Sequence, residues 1–188
     1  MPLLHLLVGP DGAGKSSYVR DVVEPVTHLP VINADEIAAS LWPGAQVEHA
    51  YEAAQIAETQ RREKLAAQES FISETVFSHP SKVDLVSDAV AAGYLVHLHV
   101  IMVPVELTVQ RVLDRVRRGG HEVPEQKIRD RYERLWDHVS LAIRIADMTE
   151  VFDNSNARTP FRLCTTYRHG AVIGSPHWPV WTPDVMRG

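Results

Sequence analysis

The stretch VGPDGAGKSS, residues 8–17, decides how the rest of the chain is read. Gly9, Gly14, Lys15 and Ser16 fit G-x-x-x-x-G-K-[ST], a glycine-rich loop between a strand and a helix. Residues 3–8 before it read LLHLLV, a short apolar run suited to a strand buried on both faces. Residues 15–24 after it form a helical pattern that Pro25 is expected to stop. Gly9, Gly12 and Gly14 permit backbone angles that turn successive N–H groups inward, with Asp11, Ala13 and Ser17 completing the loop. Those donors, with the positive end of the helix, make a cradle for phosphate oxygens. Lys15 is expected to reach β- and γ-phosphates, and the Ser16 hydroxyl to bind Mg²⁺. The expected ligand is therefore a nucleoside triphosphate.

Strand and helix signals alternate outward from this loop. Short apolar strands are expected at residues 31–32, 70–73, 94–103 and 148–152. Helices are expected at 34–42, 46–68, 81–92, 105–118 and from Pro124 to about residue 142. That alternation implies an α/β fold with a mostly parallel five-stranded sheet and helices on both faces. FRLCTTYRHGAVIG reads as a C-terminal hairpin around His169 and Gly170. The tail SPHWPVWTPDVMRG has no assigned element; its Trp178 and Trp181 either pin it to the domain or offer a partner patch. The 188 residues suit one domain, with a lid at about 111–134 and the hairpin and tail at about 160–188.

Composition narrows the function. The net charge of −5 gives no global basic field, so nucleic acid is not an expected partner. No apolar run approaches the roughly 18 residues of a membrane helix. The start reads as a buried strand and not as a signal peptide. A lone cysteine, Cys164, excludes an internal disulfide and suits a reducing cytoplasm. No N-K-x-D guanine motif is present, which argues against a switch GTPase. The strong strand at 94–103 ends in Pro104 and Glu106, without the Asp of a motor ATPase. A small-molecule kinase fits best, and it calls for an acid near the acceptor and an arginine-rich lid.

Both are found. In open α/β sheets ligands lie beyond the carboxyl ends of strands, where Asp35 and Glu74 stand. Either carboxylate can take or orient a hydroxyl proton. Arg111, Arg115 and Arg118 share one helix face at i, i+4, i+7, with Arg117 off it. Gly119-Gly120 and a second helix with Arg129, Arg131 and Arg134 follow, as in a lid that closes over a transferring phosphoryl group. His121 in that lid is a further candidate for phosphate contact. The Glu/Arg-rich residues 58–69 read as a mostly solvated helix face. His97 and His99 face one side of a strand, but no third metal ligand is evident, so they read as a packed pair.

Taken together, GPDGAGKS, INADEIA, SFISETVFS, GYLVHLHVIMV, RVLDRVRRGGHEVP…IRDRY and FDNS resemble the zeta toxin family of P-loop kinases, over residues 3–172. The resemblance implies an adenylate-kinase-like core and use of ATP with Mg²⁺. It implies phosphorylation of the 3′-hydroxyl of the sugar in UDP-N-acetylglucosamine. By motif, Lys15 and Ser16 match the ATP and Mg²⁺ residues, Asp35 the acid that activates the acceptor, and Glu74, with Thr75 beside it, a substrate-binding acid. The lid alignment selects among Arg111, Arg115, Arg118 and Arg131, with Arg131 taken toward the substrate. Asn154 in FDNS matches a loop near the adenine. The family opens the prospect of an antitoxin protein as a partner. Asp11 stands where the family commonly has Asn, and Ser17 where Thr is common. Residues 42–68 would have to build the acceptor pocket, and the acceptor stays open between UDP-N-acetylglucosamine, another nucleotide sugar and another small hydroxyl compound. The reading from another class is a nucleotide binder that transfers nothing.

Overall fold

Strand β1 (Leu3–Val8) forms where the apolar run predicts it, with Leu4, Leu6, Leu7 and Val8 fully shielded from solvent. In the computed structural model, which describes residues 1–117 and 123–187, it lies inside one sheet, at the middle of that sheet's five parallel strands. Its neighbours β3 (Phe71–Thr75) and β4 (Leu95–Met102) are both parallel to it. Beyond them lie β2 (Val31–Ile32) and β5 (Met148–Asp153), also parallel, so the five-stranded parallel core is present. The hairpin β6 (Arg162–Arg168) and β7 (Ala171–Ile173) joins the same sheet antiparallel, giving seven strands in the order β2-β3-β1-β4-β5-β6-β7. It satisfies the outer edge of β5, whose backbone groups would otherwise face solvent unpaired.

Side chains alternate across the sheet. Leu4, Leu6, Val8, Leu98 and Val100 face α5 (Ser81–Ala91) and α7 (Glu125–Ile145) in the larger core. Leu7, Ile72, Ile101 and Phe152 face Tyr18, Val19 and Val23 of the helix that follows the phosphate loop. That second face also carries His5, His97 and His99. Burial is the main cause that pushes the His5 ring down to about 4 and His99 well below its ordinary value, with the neighbouring imidazoles adding to it.

Pro25 does not stop the first helix. The chain passes from α1 (Lys15–Tyr18) through a π segment (Val19–Val23) into α2 (Glu24–Thr27). Glu24 N–H reaches back five residues to the Val19 carbonyl. The wider turn relieves the clash a proline ring makes with the carbonyl four residues before it, and Pro25 has no N–H to miss. Further on, the Asn33 side chain caps α3 (Ala34–Leu41) by accepting from Asp35 N–H at 2.9 Å. Helix α4 (Ala50–Ala67) buries Ala53, Ala57 and Arg61, one face at i, i+4, i+8. Residues 58–69 are mostly exposed or half-buried, as expected, and Arg61 is the exception at only 3% exposure.

Helix α6 (Val105–Arg117) packs Val109 and Val112 on Ile128 of α7. Tyr132 Oη donates to the Val103 carbonyl at 3.0 Å and fixes α7 to the end of β4. The tail folds back: α8 (Asp184–Arg187) buries Met186 in the larger core, and Trp178 and Trp181 pack against it. The tryptophans thus pin the tail. Among the described residues no helix is long and apolar enough to cross a membrane.

Leu135 of α7 is fully buried in the larger core. Leu135→Ala is expected to destabilise the fold by about 2–5 kcal/mol, read from denaturant midpoints at unchanged slope.

Candidate functional site

The loop between β1 and α1 is shaped by two close approaches. At Gly9 (φ +152°) a Cβ would collide with the Ile101 carbonyl of β4. At Gly14 (φ +96°) it would lie 2.5 Å from Asn154 Nδ2. Only glycine meets both the angle and the space at these positions. Lys15 opens α1, is 7% exposed, and donates from Nζ to the Gly9 and Pro10 carbonyls at 3.0 Å each. Its ammonium is therefore held against the loop that the sequence assigns to phosphate.

A line of polar side chains runs from the loop to the ends of β3 and β2. Ser16 Oγ donates to Glu74 Oε1 at 3.0 Å. Asn33 Nδ2 donates to Glu74 Oε2 at 2.9 Å, while Asn33 Oδ1 holds the Asp35 amide. Burial raises the Glu74 carboxyl above its ordinary range, opposed by the Lys15 ammonium and the Ser16 hydrogen bond. The Ser16 hydroxyl and the Glu74 carboxylate form an all-oxygen donor set suited to a hard divalent cation such as Mg²⁺.

These groups open into a cleft of about 720 Å³. Of the residues expected at the site, Asp11, Gly12, Gly14, Lys15, Ser16, Ser17, Asp35, Glu74, Thr75, Arg111, Arg115 and Arg131 line it. Val47, Ala50, Ala54 and Arg61 bring the segment 42–68 to the same cleft. Seven lysine and arginine side chains line it against three carboxylates, in a chain whose net charge is −5. Such a cleft focuses a positive potential and draws anions.

The arginines divide by what they touch. Arg111 is a clamp: Nη1 donates to the Gly12 carbonyl at 3.1 Å and Nη2 to the Asn154 carbonyl at 2.8 Å. Arg131 Nη1 lies 3.3 Å from Asp11 Oδ2. Arg115 lines the cleft with its Nε buried and without a hydrogen-bond partner among the described residues. Arg117 is exposed and pairs with Asp114 at 3.1 Å, away from the cleft. Arg129 pairs with Glu106 and Glu125 and also stands outside the cleft. Arg118, Gly119, Gly120 and His121 lie outside the described residues.

Gly9, Ala13 and Asn154 do not line the cleft. Asn154 is 8% exposed; its Nδ2 donates to the Ala13 carbonyl at 2.8 Å and its Oδ1 accepts from Phe161 N–H at 3.4 Å. Its amide is engaged by the protein and braces the loop from below. Sequence reading missed Asn33, Arg61, Lys82 and Lys127. Asn33 had a signal, a polar residue at a strand end where a helix begins. Arg61 had one in its spacing from Ala53 and Ala57. Lys82 carries an amine lowered chiefly by burial and by Arg61 beside it, opposed by Glu58.

Asn154→Ala leaves the buried Ala13 carbonyl without its donor. It is expected to destabilise the protein by about 1–3 kcal/mol, and amide exchange at residues 12–16 should quicken more than at β4.

No curated protein sequence matches the chain. Among solved structures it is similar to the AvrRxo1-ORF1:AvrRxo1-ORF2 complex with sulphate ions, at 15% identity and a TM-score of 0.70 over 92% of this chain and 60% of that one. The same complex solved with ATP aligns at a TM-score of 0.58. The PezAT chromosomal toxin-antitoxin system of Streptococcus pneumoniae aligns at 17% identity and a TM-score of 0.59, over 81% and 67% of the two chains. Shikimate kinase from Acinetobacter baumannii in complex with shikimate aligns at 20% identity and a TM-score of 0.52, over 79% and 83%. The chain thus spans 60% of the length of the first of these relatives. At such identities the likeness is one of fold, the α/β P-loop fold with its mostly parallel sheet. Residues 4–135, which include the phosphate loop, Glu74 and the first arginine helix, match the family model AAA_33, described as an AAA domain, and the chain belongs to that family.

Proposed function

We propose that the protein is a small-molecule kinase that moves the γ-phosphoryl group of ATP to a hydroxyl of an anionic acceptor, by resemblance a nucleotide sugar such as UDP-N-acetylglucosamine. The observation that supports this reading is the hydrogen-bonded line Ser16–Glu74–Asn33–Asp35, which joins the glycine loop to the exposed Asp35 carboxylate within one cationic cleft. A protein that only binds nucleotide needs the cradle and not the rest. The likeness in fold to a shikimate kinase, and to a complex solved with ATP, supports the class.

Each group then has a task. Loop N–H groups and the Lys15 ammonium bind the β- and γ-phosphates. Ser16 and Glu74 would hold Mg²⁺, which would supply neutralisation of the phosphate charge. This assigns Glu74 to the metal side of the cleft, because Ser16 and not open solvent is its neighbour. Asp35 accepts the acceptor's proton as its oxygen bonds to the γ-phosphorus; the bond from that phosphorus to the β–γ bridging oxygen breaks, and ADP leaves. Arg115 and Arg131 stabilise the charge spread over the transferring group. Arg61 and Lys82 bind the acceptor's own negative charge. The fold likeness to PezAT supports the addition of an antitoxin partner to the proposal.

The test is incubation of the purified protein with ATP, Mg²⁺ and UDP-N-acetylglucosamine, with products read by mass spectrometry. The phosphorylated nucleotide sugar should appear in step with ADP. Asp35→Asn should lower turnover by about 10²-fold or more while ATP affinity stays close to that of the parent. Arg115→Ala should reduce turnover by more than it weakens ATP binding, because its contact strengthens in the transition state. Arg117→Ala should match the parent. Equal, small effects at Arg115 and Arg117 would withdraw the lid assignment, and ADP formation independent of every hydroxyl acceptor would withdraw the kinase.

A further inference from the structure

The sheet face under the loop helix carries a polar cluster that phosphoryl transfer does not use. His5 of β1 pairs in register with His97 of β4, and His99 of β4 pairs with Glu150 of β5. Side chains at these positions share one face. His97 and His99 are packed, as the sequence suggests, and strand pairing brings a third imidazole, His5, beside them.

The three imidazoles each place a ring nitrogen within 4.8 Å of the others. His5 Nδ1 and His99 Nε2 are 2.9 Å apart. Glu150 Oε2 lies 3.0 Å from His97 Nε2 and 3.9 Å from His99 Nδ1. Ligands bound at about 2.0–2.1 Å to a tetrahedral ion stand roughly 3.4 Å from one another. The 2.9 Å and 3.0 Å separations lie near that value, but His99 meets His5 through Nε2 and Glu150 through Nδ1, so closing the set on one ion requires the His99 ring to present a single nitrogen and its neighbours to reorient toward it. Hydrogen bonding alone does not complete the cluster. His5 is 8% and His99 3% exposed, yet His5 Nε2 and His99 Nδ1 have no partner among the described residues. Leu7, Ile72, Ile101 and Phe152 fill the rest of this face with hydrocarbon, so a buried ring nitrogen without a partner on each of His5 and His99 calls for a reason.

We propose that His5, His97, His99 and Glu150 form a site for a divalent transition-metal ion of the Zn²⁺ class, which staples β1, β4 and β5 beneath the phosphate-loop helix. Three imidazoles and one carboxylate suit Zn²⁺, while Mg²⁺ prefers oxygen donors, so this site is chemically distinct from the Ser16–Glu74 pair. Tyr18 of the loop helix covers it, with its ring 5.6 Å from that of His99. Four protein ligands leave no open position, which makes the ion structural.

The experiment uses the full, untagged chain, stripped with chelator and reloaded with Zn²⁺ alone. One ion per chain should survive gel filtration, the thermal midpoint should rise, and Co²⁺ in its place should show the intense visible absorption of a four-coordinate ion. His5→Gln, His97→Gln and Glu150→Gln, each checked for fold by circular dichroism, should bind at least about ten-fold more weakly. His177→Gln, at an exposed position, should bind as the parent does. If the folded parent retains no Zn²⁺, or Co²⁺ stays octahedral and pale, the site is refuted whatever the variants do. Equal retention by the parent and the cluster variants refutes it too.

Discussion

Glu74 accepts hydrogen bonds on both carboxylate oxygens, from Ser16 at 3.0 Å and from Asn33 at 2.9 Å, and the cleft is organised around that pair of contacts. One contact fixes the start of the phosphate-loop helix to the end of β3. The other fixes the end of β2, whose Asn33 in turn holds the amide of Asp35. A half-buried carboxylate is costly unless it is matched by donors and cations. Lys15 supplies a positive charge that acts on it, so the same ammonium that is proposed to meet phosphate also keeps Glu74 from rising further out of the carboxylate range.

The loop is held from its other side by a longer-range brace. Asn154 at the end of β5 donates to the Ala13 carbonyl, and Arg111 spans the Gly12 and Asn154 carbonyls. The loop is thus tied to the sheet on one side and to α6 on the other. A shift of α6 would act on the loop through Arg111, while Arg115 faces the cleft from the same helix. Preorganisation of this kind lets charge be stabilised without rearrangement at the moment of reaction.

The parts of the site that are local in sequence were legible; the parts made by pairing were not. Residues 8–17 carry their geometry in their own glycines, and the acids at strand ends follow from the α/β pattern. Pro25 misled because a π turn can absorb a proline that an α turn cannot. Asn154 reads as a loop residue in FDNS, but its partner lies 141 residues away. His5 is invisible beside His99 for the same reason, since parallel register sets their 2.9 Å contact across 94 residues. Arg61 sits between the two cases: its spacing was visible, but its burial depends on where α4 docks.

The central claim is that this cleft passes a phosphoryl group to a small hydroxyl acceptor. The most direct measurement gives the protein ATP carrying ¹⁸O in its γ-phosphate together with a small-molecule extract of cells, and follows the heavy phosphate by mass spectrometry. The account predicts that the label enters one small hydroxyl compound as a phosphate ester, and that Lys15→Ala abolishes this while the protein stays folded. Label found only in inorganic phosphate, or a well-folded Lys15→Ala protein that transfers as fast as the parent, would contradict it.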